Sequence, residues 1–360
     1  MGASEVQSAE LDGNVVLFEQ PAQKPGARPQ PPLHATAGKA VYEGKGEWLH
    51  LTMSPRVEDG GMELTAQKVD VSQQSGDAWA RGDVKATWTE TSSSGQNAAN
   101  GGPAGGNADD TTGGVTLGGK GPAHVVAAEA QLNQWTGEAT FRGHARLWQQ
   151  TNFVSGPEIV LNQHLQTLVA RSSDAAEPVR VVMLSESGAG AGKRSTQPEG
   201  QPAGPAAEGQ AGGQSPGPEV IRVHGGELRY SDADRRAVMH GGSLGAVVAE
   251  TSTATSSSDT VELDLMPAGD HEAGGGAAQV DRMTARGHVA VTSEGRRGTG
   301  EQLVYTGENG DYVLTGTAGA LPRMTDPVRG NVSGEALIFH SRDDTVSIEG
   351  RTRTETTAPK

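Results

Sequence analysis

The chain contains no cysteine, so disulfides and thiolate metal sites are unavailable to it. Aromatic residues are scarce, at 4%, and hydrophobic residues make up only 34% of 360, which argues for less ordered structure than the two ordinary domains that length would allow. No apolar run approaches the roughly 18 residues of a membrane-spanning helix. Met1-Gly-Ala-Ser-Glu has neither the basic start nor the apolar stretch of a signal peptide. The chain thus reads as cytosolic, or as a mature or trimmed segment of an exported protein. Cationic residues are outnumbered, 29 Lys and Arg against 44 Asp and Glu, and form no cluster; the net charge of -15 excludes nucleic acid as a partner.

Glycine, by contrast, is abundant, and much of it lies in low-complexity tracts at 91–121, 185–218 and 267–279. Such tracts cannot bury enough apolar surface to offset their ordering entropy and read as loops or linkers. A proline-rich break covers 20–32. The expected organisation is a first hairpin set at 1–90, incomplete at its start, an insert at 91–121, and a continuation of the sheet at 122–184. A linker at 185–218, a second module at 219–352 with an insert near 267–279, and a tail at 353–360 complete it. The segment from Leu11 to Phe18 reads as the return strand of a hairpin whose outgoing strand is missing, which suggests a longer polypeptide.

Between the breaks one hairpin-sized phrase recurs: an alternating strand, a polar turn, and a return strand carrying a glycine. It appears at Val69 to Val84, Ala130 to Leu147, Leu228 to Gly241, Leu303 to Ala318 and Leu337 to Gly350. Repetition of one supersecondary unit implies stacking with a continuous core. Ala139, Phe141, Gly143, Ala145 and Leu147 fall on one face, and Thr140, Arg142, His144 and Arg146 on the other. Tyr312, Leu314, Gly316, Ala318 and Ala320 repeat the pattern. One apolar and one wet face is the mark of antiparallel sheet. Gly82, Gly143, Gly287, Gly316 and Gly350 occupy the apolar face on this parity, and strand glycine marks a bend or a close approach. They are read as creases where the sheet folds over.

Catalytic constellations are not evident. Ser187 to Ser195 looks like a phosphate loop, but Arg194 stands where Ser or Thr is required. The histidines, such as His144 and His288, are scattered on wet faces without metal-ligand spacing. Asp109-Asp110 and Asp343-Asp344 read as turn carboxylates, and Asn331-Val-Ser333 as an idle glycosylation motif. Trp48, Trp79, Trp88, Trp135 and Trp148 read as cross-strand or rim packing. No catalytic residue, metal or cofactor is expected.

The strings Ala37 to Leu51, Ser54-Pro-Arg-Val57, Leu64 to Val71, Ala80-Arg-Gly-Asp-Val84 and Ser155 to Asn162 resemble the OstA-like (organic-solvent-tolerance) repeats of lipopolysaccharide transport. That family includes LptA, LptC and the periplasmic domain of LptD. The resemblance covers about residues 33–90, 122–172 and 220–352. It implies an all-β antiparallel jellyroll, an open β-taco of stacked hairpins in one or two consecutive modules, binding lipid A acyl chains without catalysis. It further implies a periplasmic location, a possible inner-membrane tether through a missing N-terminal part, and assembly with other Lpt-type jellyrolls or head to tail with itself. The groove lining would be Leu49, Leu51, Val69, Val71, Phe141, Leu147, Ile159, Leu161, Tyr230, Met239, Leu314 and Ile348. Two other classes stay open on the residues alone: a structural or adhesin-like module assembling through edge strands, and a carbohydrate-active β enzyme.

Overall fold

The computed structural model describes residues 7–19, 33–44, 47–59, 61–89, 117–119, 121–185, 219–266, 278–307, 310–317, 319–328, 330–340, 345–350 and 352–355. The tract at 185–218 lies almost wholly outside these, as do most of the 91–121 and 267–279 tracts, the break at 20–32, the phosphate-loop-like stretch from 187 and both aspartate pairs.

The strands are β1 (Ser8–Glu19), β2 (Leu33–Glu43), β3 (Trp48–Thr52), β4 (Arg56–Asp59), β5 (Met62–Thr65), β6 (Lys68–Ser72), β7 (Asp77–Trp88) and β8 (Ala123–Asn133). Then come β9 (Glu138–Gln149), β10 (Asn152–Asn162), β11 (Thr167–Arg171), β12 (Val179–Ser185), β13 (Glu219–Gly225), β14 (Glu227–Ser231), β15 (Arg236–His240), β16 (Val247–Glu250) and β17 (Ala254–Ser258). The last are β18 (Thr260–Leu265), β19 (Gln279–Ser293), β20 (Arg296–Thr306), β21 (Asp311–Thr315), β22 (Arg323–Asp326), β23 (Gly330–Ser333), β24 (Ala336–His340), β25 (Thr345–Glu349) and β26 (Arg353–Glu355). Among the described residues the only helical element is a 3-10 turn at Gly242–Leu244.

All these strands belong to one sheet, folded along its length into two walls. The long strands β1, β2, β7, β8, β9, β10, β19 and β20 pass through both walls. In β2, for example, Lys39 to Glu43 pair with β3 while His34 to Thr36 pair with β4. The shorter strands come in couples, one in each wall, joined at a corner. The first wall runs β1-β2-β3-β6-β7-β8-β9-β10-β11-β14-β15-β18-β19-β20-β21-β24-β25, each neighbour antiparallel. The second runs β1-β2-β4-β5-β7-β8-β9-β10-β12-β13-β16-β17-β19-β20-β22-β23-β26. This is an antiparallel jellyroll of the taco form. Pairing crosses from β12 through β13 without a break, and Arg353 to Glu355 add a strand within the expected tail.

The crease has a local cause. Gly82, Gly143 and Gly287 have φ of 76°, 79° and 79°, and each is followed by a second left-handed residue, Asp83, His144 or His288. Two such residues in succession turn the strand, and the ladder register slips at Arg81/Val84 and Arg286/Val289. Gly350, also at positive φ, turns the chain between β25 and β26. The glycines are therefore creases, but they do not face the core as parity suggests: Gly143 and Gly350 are exposed, because the bend carries them to its outer side. The apolar alternation also stops earlier than expected after Leu314. β21 ends at Thr315, Gly316 begins a corner in which a Cβ would lie 2.0 Å from the Ala320 carbonyl oxygen, and Ala320 is exposed.

Candidate functional site

The register builds continuous apolar rows on the inner face of the first wall. One row reads Ala40, Leu51, Val69, Ala80, Ala130, Phe141, Ile159, Ala170, Leu228, Met239, Val261, Ala285, Leu303, Leu314, Leu337 and Ile348, each opposite the next. A second row, nearer the mouth, contains Tyr42, Leu49, Val71, Ala78, Leu132, Ala139, Leu161, Leu168 and Tyr230, and continues to Phe339 and Val346. The second wall answers with Ala35, Val57, Leu64, Ala86, Val125, Leu147, Val154, Val181, Val223 and Ala249.

Every lining residue expected from the sequence lies on these rows: Leu51, Val69, Phe141, Ile159, Met239, Leu314 and Ile348 on the first, Leu49, Val71, Leu161 and Tyr230 on the second, and Leu147 on the opposite wall. That opposite wall is where sequence reasoning fell short. Trp88, Val125, Val154, Val181 and Val223 are all buried, yet only Leu147 was singled out there. Continuing the alternation past the crease glycine finds Val84, Ala86 and Trp88 on β7. On β8 and β10 the register shifts at the bend and the inner parity changes, so Val125 and Val154 are not reached by counting.

The walls touch. The Trp88 ring meets Phe141 edge-on, with centroids 5.9 Å apart, and a Cβ on Gly298 of β20 would lie 2.9 Å from Leu314 and 3.2 Å from Phe339. The inner rows form one apolar cluster spanning both walls. Burying each such side chain contributes roughly 1.5–3 kcal/mol, so the interior stands as a packed core in this state.

Most charged side chains lie on the outer faces, while Ser256 of β17, opposite Ala249 and Val291, continues the inner row of the second wall as a buried polar residue. Trp48 stacks on Trp79 at 5.1 Å, and His124 on Trp148 at 5.4 Å; Trp135 covers a turn, where a Gly76 Cβ would meet its ring at 2.9 Å. A shallow depression of about 220 Å³ on the outer face is lined by Trp79, Arg81, Glu129, Gln131, Thr140 and Arg142. Asp70, almost wholly buried between them, is reached by His50 at 2.5 Å, Lys68 at 2.9 Å and Arg81 at 3.0 Å. Burial alone would raise its carboxyl, but the hydrogen bonds from His50 and Lys68 outweigh this and hold it below the usual carboxylate value. His144 and His288 are exposed as expected, and each has a carboxylate partner, Glu177 at 2.6 Å and Asp259 at 2.8 Å. Inside, the Tyr230 phenol is driven far up by burial and by Asp232, to which it donates, and burial pushes Tyr312 up to about 12; both stay protonated.

Residues 56–167 match the family model described as LptA/(LptD N-terminal domain) LPS transport protein. No curated protein matches the sequence. Among solved structures, the chain is similar to LptH, the LptA homologous periplasmic component of the lipopolysaccharide transport device of Pseudomonas aeruginosa. The two share 14% identity over 55% of this chain and 85% of that one, with a TM-score of 0.24. Residues 56–167 span β4 to the start of β11, and their ladder continues without interruption on both sides. The similarity to the LptA/LptD N-terminal model of LPS transport proteins is thus one of this segment, which lies within the continuous sheet.

Proposed function

We propose that this chain is a non-catalytic periplasmic carrier of lipopolysaccharide that receives lipid A acyl chains between its two walls. The observation that supports the reading is the row from Ala40 to Ile348, apolar at every station of the first wall. An acyl chain laid along it exchanges side-chain contacts for acyl contacts and gains roughly 0.8 kcal/mol for each methylene withdrawn from water. Headgroup sugars and phosphates would stay outside the trough at its mouth, in water, where salt screens the net negative charge of the chain. The ends of the walls suit assembly. Among the described residues β1 pairs only with β2, and β25 only with β24, so each offers an edge to which another Lpt-type jellyroll or a second copy could add a strand.

Benzoylphenylalanine placed singly at Phe141, Leu147 and Arg142 tests this. Purified rough lipopolysaccharide should crosslink at the two inner positions at least ten-fold more than at Arg142. Equal labelling overturns the reading in favour of a structural module.

A further inference from the structure

The mouth of the trough is not uniform. At its middle the outer ends of the two walls are joined by hydrogen bonds between strands distant in the chain. The Asn152 side-chain amide, at the start of β10, donates to the Ala278 carbonyl at 2.9 Å. At the end of β12, Leu184 and Ser185 pair in parallel with Gln279 and Val280 of β19, and this is the single parallel pairing among the described strands. Ser185 Oγ donates to the Val280 carbonyl at 3.2 Å and lies 3.3 Å from the Tyr305 hydroxyl. Tyr305 in turn donates to Glu219 at 3.0 Å, and Thr251 Oγ1 lies 2.8 Å from the Tyr312 hydroxyl.

Asn152, Ser185, Glu219 and Thr251 stand at the outer rim of the second wall, on successive passes of the chain; Val280, Tyr305 and Tyr312 stand at the outer rim of the first. Two buried oxygens of this junction have no hydrogen-bond partner among the described residues, Asn152 Oδ1 and Gln279 Oε1. Each carries an uncompensated desolvation cost that a parted, hydrated rim would relieve. A polar seam with unmet acceptors, set at the edge of a largely apolar interior, is held less firmly than the walls it joins.

We propose that this seam is a gate: between β10 and β21 the trough is shut at its mouth, and the rim must part for an amphiphile whose headgroup stays outside to occupy that section. The proposal rests on the carrier reading above. It also divides the trough by function. The section bounded by β2 to β9 admits lipid with the seam closed, and the section under the seam admits it only with the seam open.

The absence of native cysteine makes a clean lock possible. Ser185→Cys with Val280→Cys joins register partners across the seam, and the full chain is produced with photo-methionine in place of methionine. Lipopolysaccharide adducts are then mapped by mass spectrometry at Met62 in the first section, and at Met183 and Met283 beneath the seam. Far-UV circular dichroism establishes that the oxidised and reduced forms share one fold. In the reduced protein all three positions should label. In the oxidised protein Met62 should still label, while Met183 and Met283 fall at least ten-fold. Undiminished labelling at Met183 and Met283 in the oxidised form overturns the gate. Absence of labelling at all three in the reduced form overturns the carrier reading instead. As a second arm, Tyr305→Phe with Tyr312→Phe keeps the rings and removes the bridging hydroxyls; labelling at Met183 should appear sooner than in the unsubstituted chain, and an unchanged time course counts against the gate.

Discussion

Trp88 at the outer end of β7 and Phe141 near the crease of β9 meet edge to face, at an interplanar angle of 81°, although both belong to the same sheet. Their contact crosses the trough, so it reports directly on whether the walls are together.

Trp88→Ala and Phe141→Ala should each cost about 3–5 kcal/mol of unfolding free energy. Because the rings touch, the double variant should lose less than the sum of the single losses, by about 0.5–1.5 kcal/mol. Urea titrations of the four proteins measure this; strict additivity would show that the walls are not in contact in solution.

Gly143→Ala should destabilise the fold by about 1–3 kcal/mol, since the left-handed conformation disfavours any Cβ. Here the Cβ would also lie 2.7 Å from that of Ala128. Gly319→Ala, at a position with open space and no positive φ, should be close to neutral. Thermal melts compare the two directly.

Asp70 gives a pH dependence of definite sign. Its carboxyl is held below the usual value of about 4 in the folded state, by His50 and Lys68 against the opposing effect of burial. The stability it contributes is therefore fully present above that usual value and is lost as pH falls through the depressed one. Asp70→Asn should be less stable than the parent at pH 7, and the difference should shrink at pH 2. Denaturant midpoints across that range check it.

His288 runs the other way. Its hydrogen bond to Asp259 raises its pKa, so its contribution is complete below the unfolded value near 6.5 and fades as pH rises through the folded one. An NMR titration should place its midpoint above that of a free histidine, and Asp259→Asn should bring it back down.

Much of the trough was legible before any coordinates. Alternation alone puts Phe141, Leu147, Leu161, Tyr230, Leu314 and Ile348 on the inward faces of their strands. The strand glycines at 82, 143 and 287 were recognisable as candidate bends because glycine inside a strand costs stability and marks a bend or a close approach. What the alternation misplaced was the side on which Gly143 sits, since parity counts residues and takes no account of a double left-handed turn. It also ran on through Gly316, where a corner intervenes.

By itself the sequence determined the sheet, its two-sidedness and the location of its folds, because side-chain period and backbone strain are properties of neighbouring residues. The tertiary structure alone decided which residues face one another across the trough, and that its mouth is joined. Asn152 and Ala278 are 126 positions apart, Ser185 and Val280 are 95 apart, and Glu219 and Tyr305 are 86 apart. No local pattern marks them, since a polar residue at a strand end reads as a turn until the fold brings its distant partner within hydrogen-bonding reach.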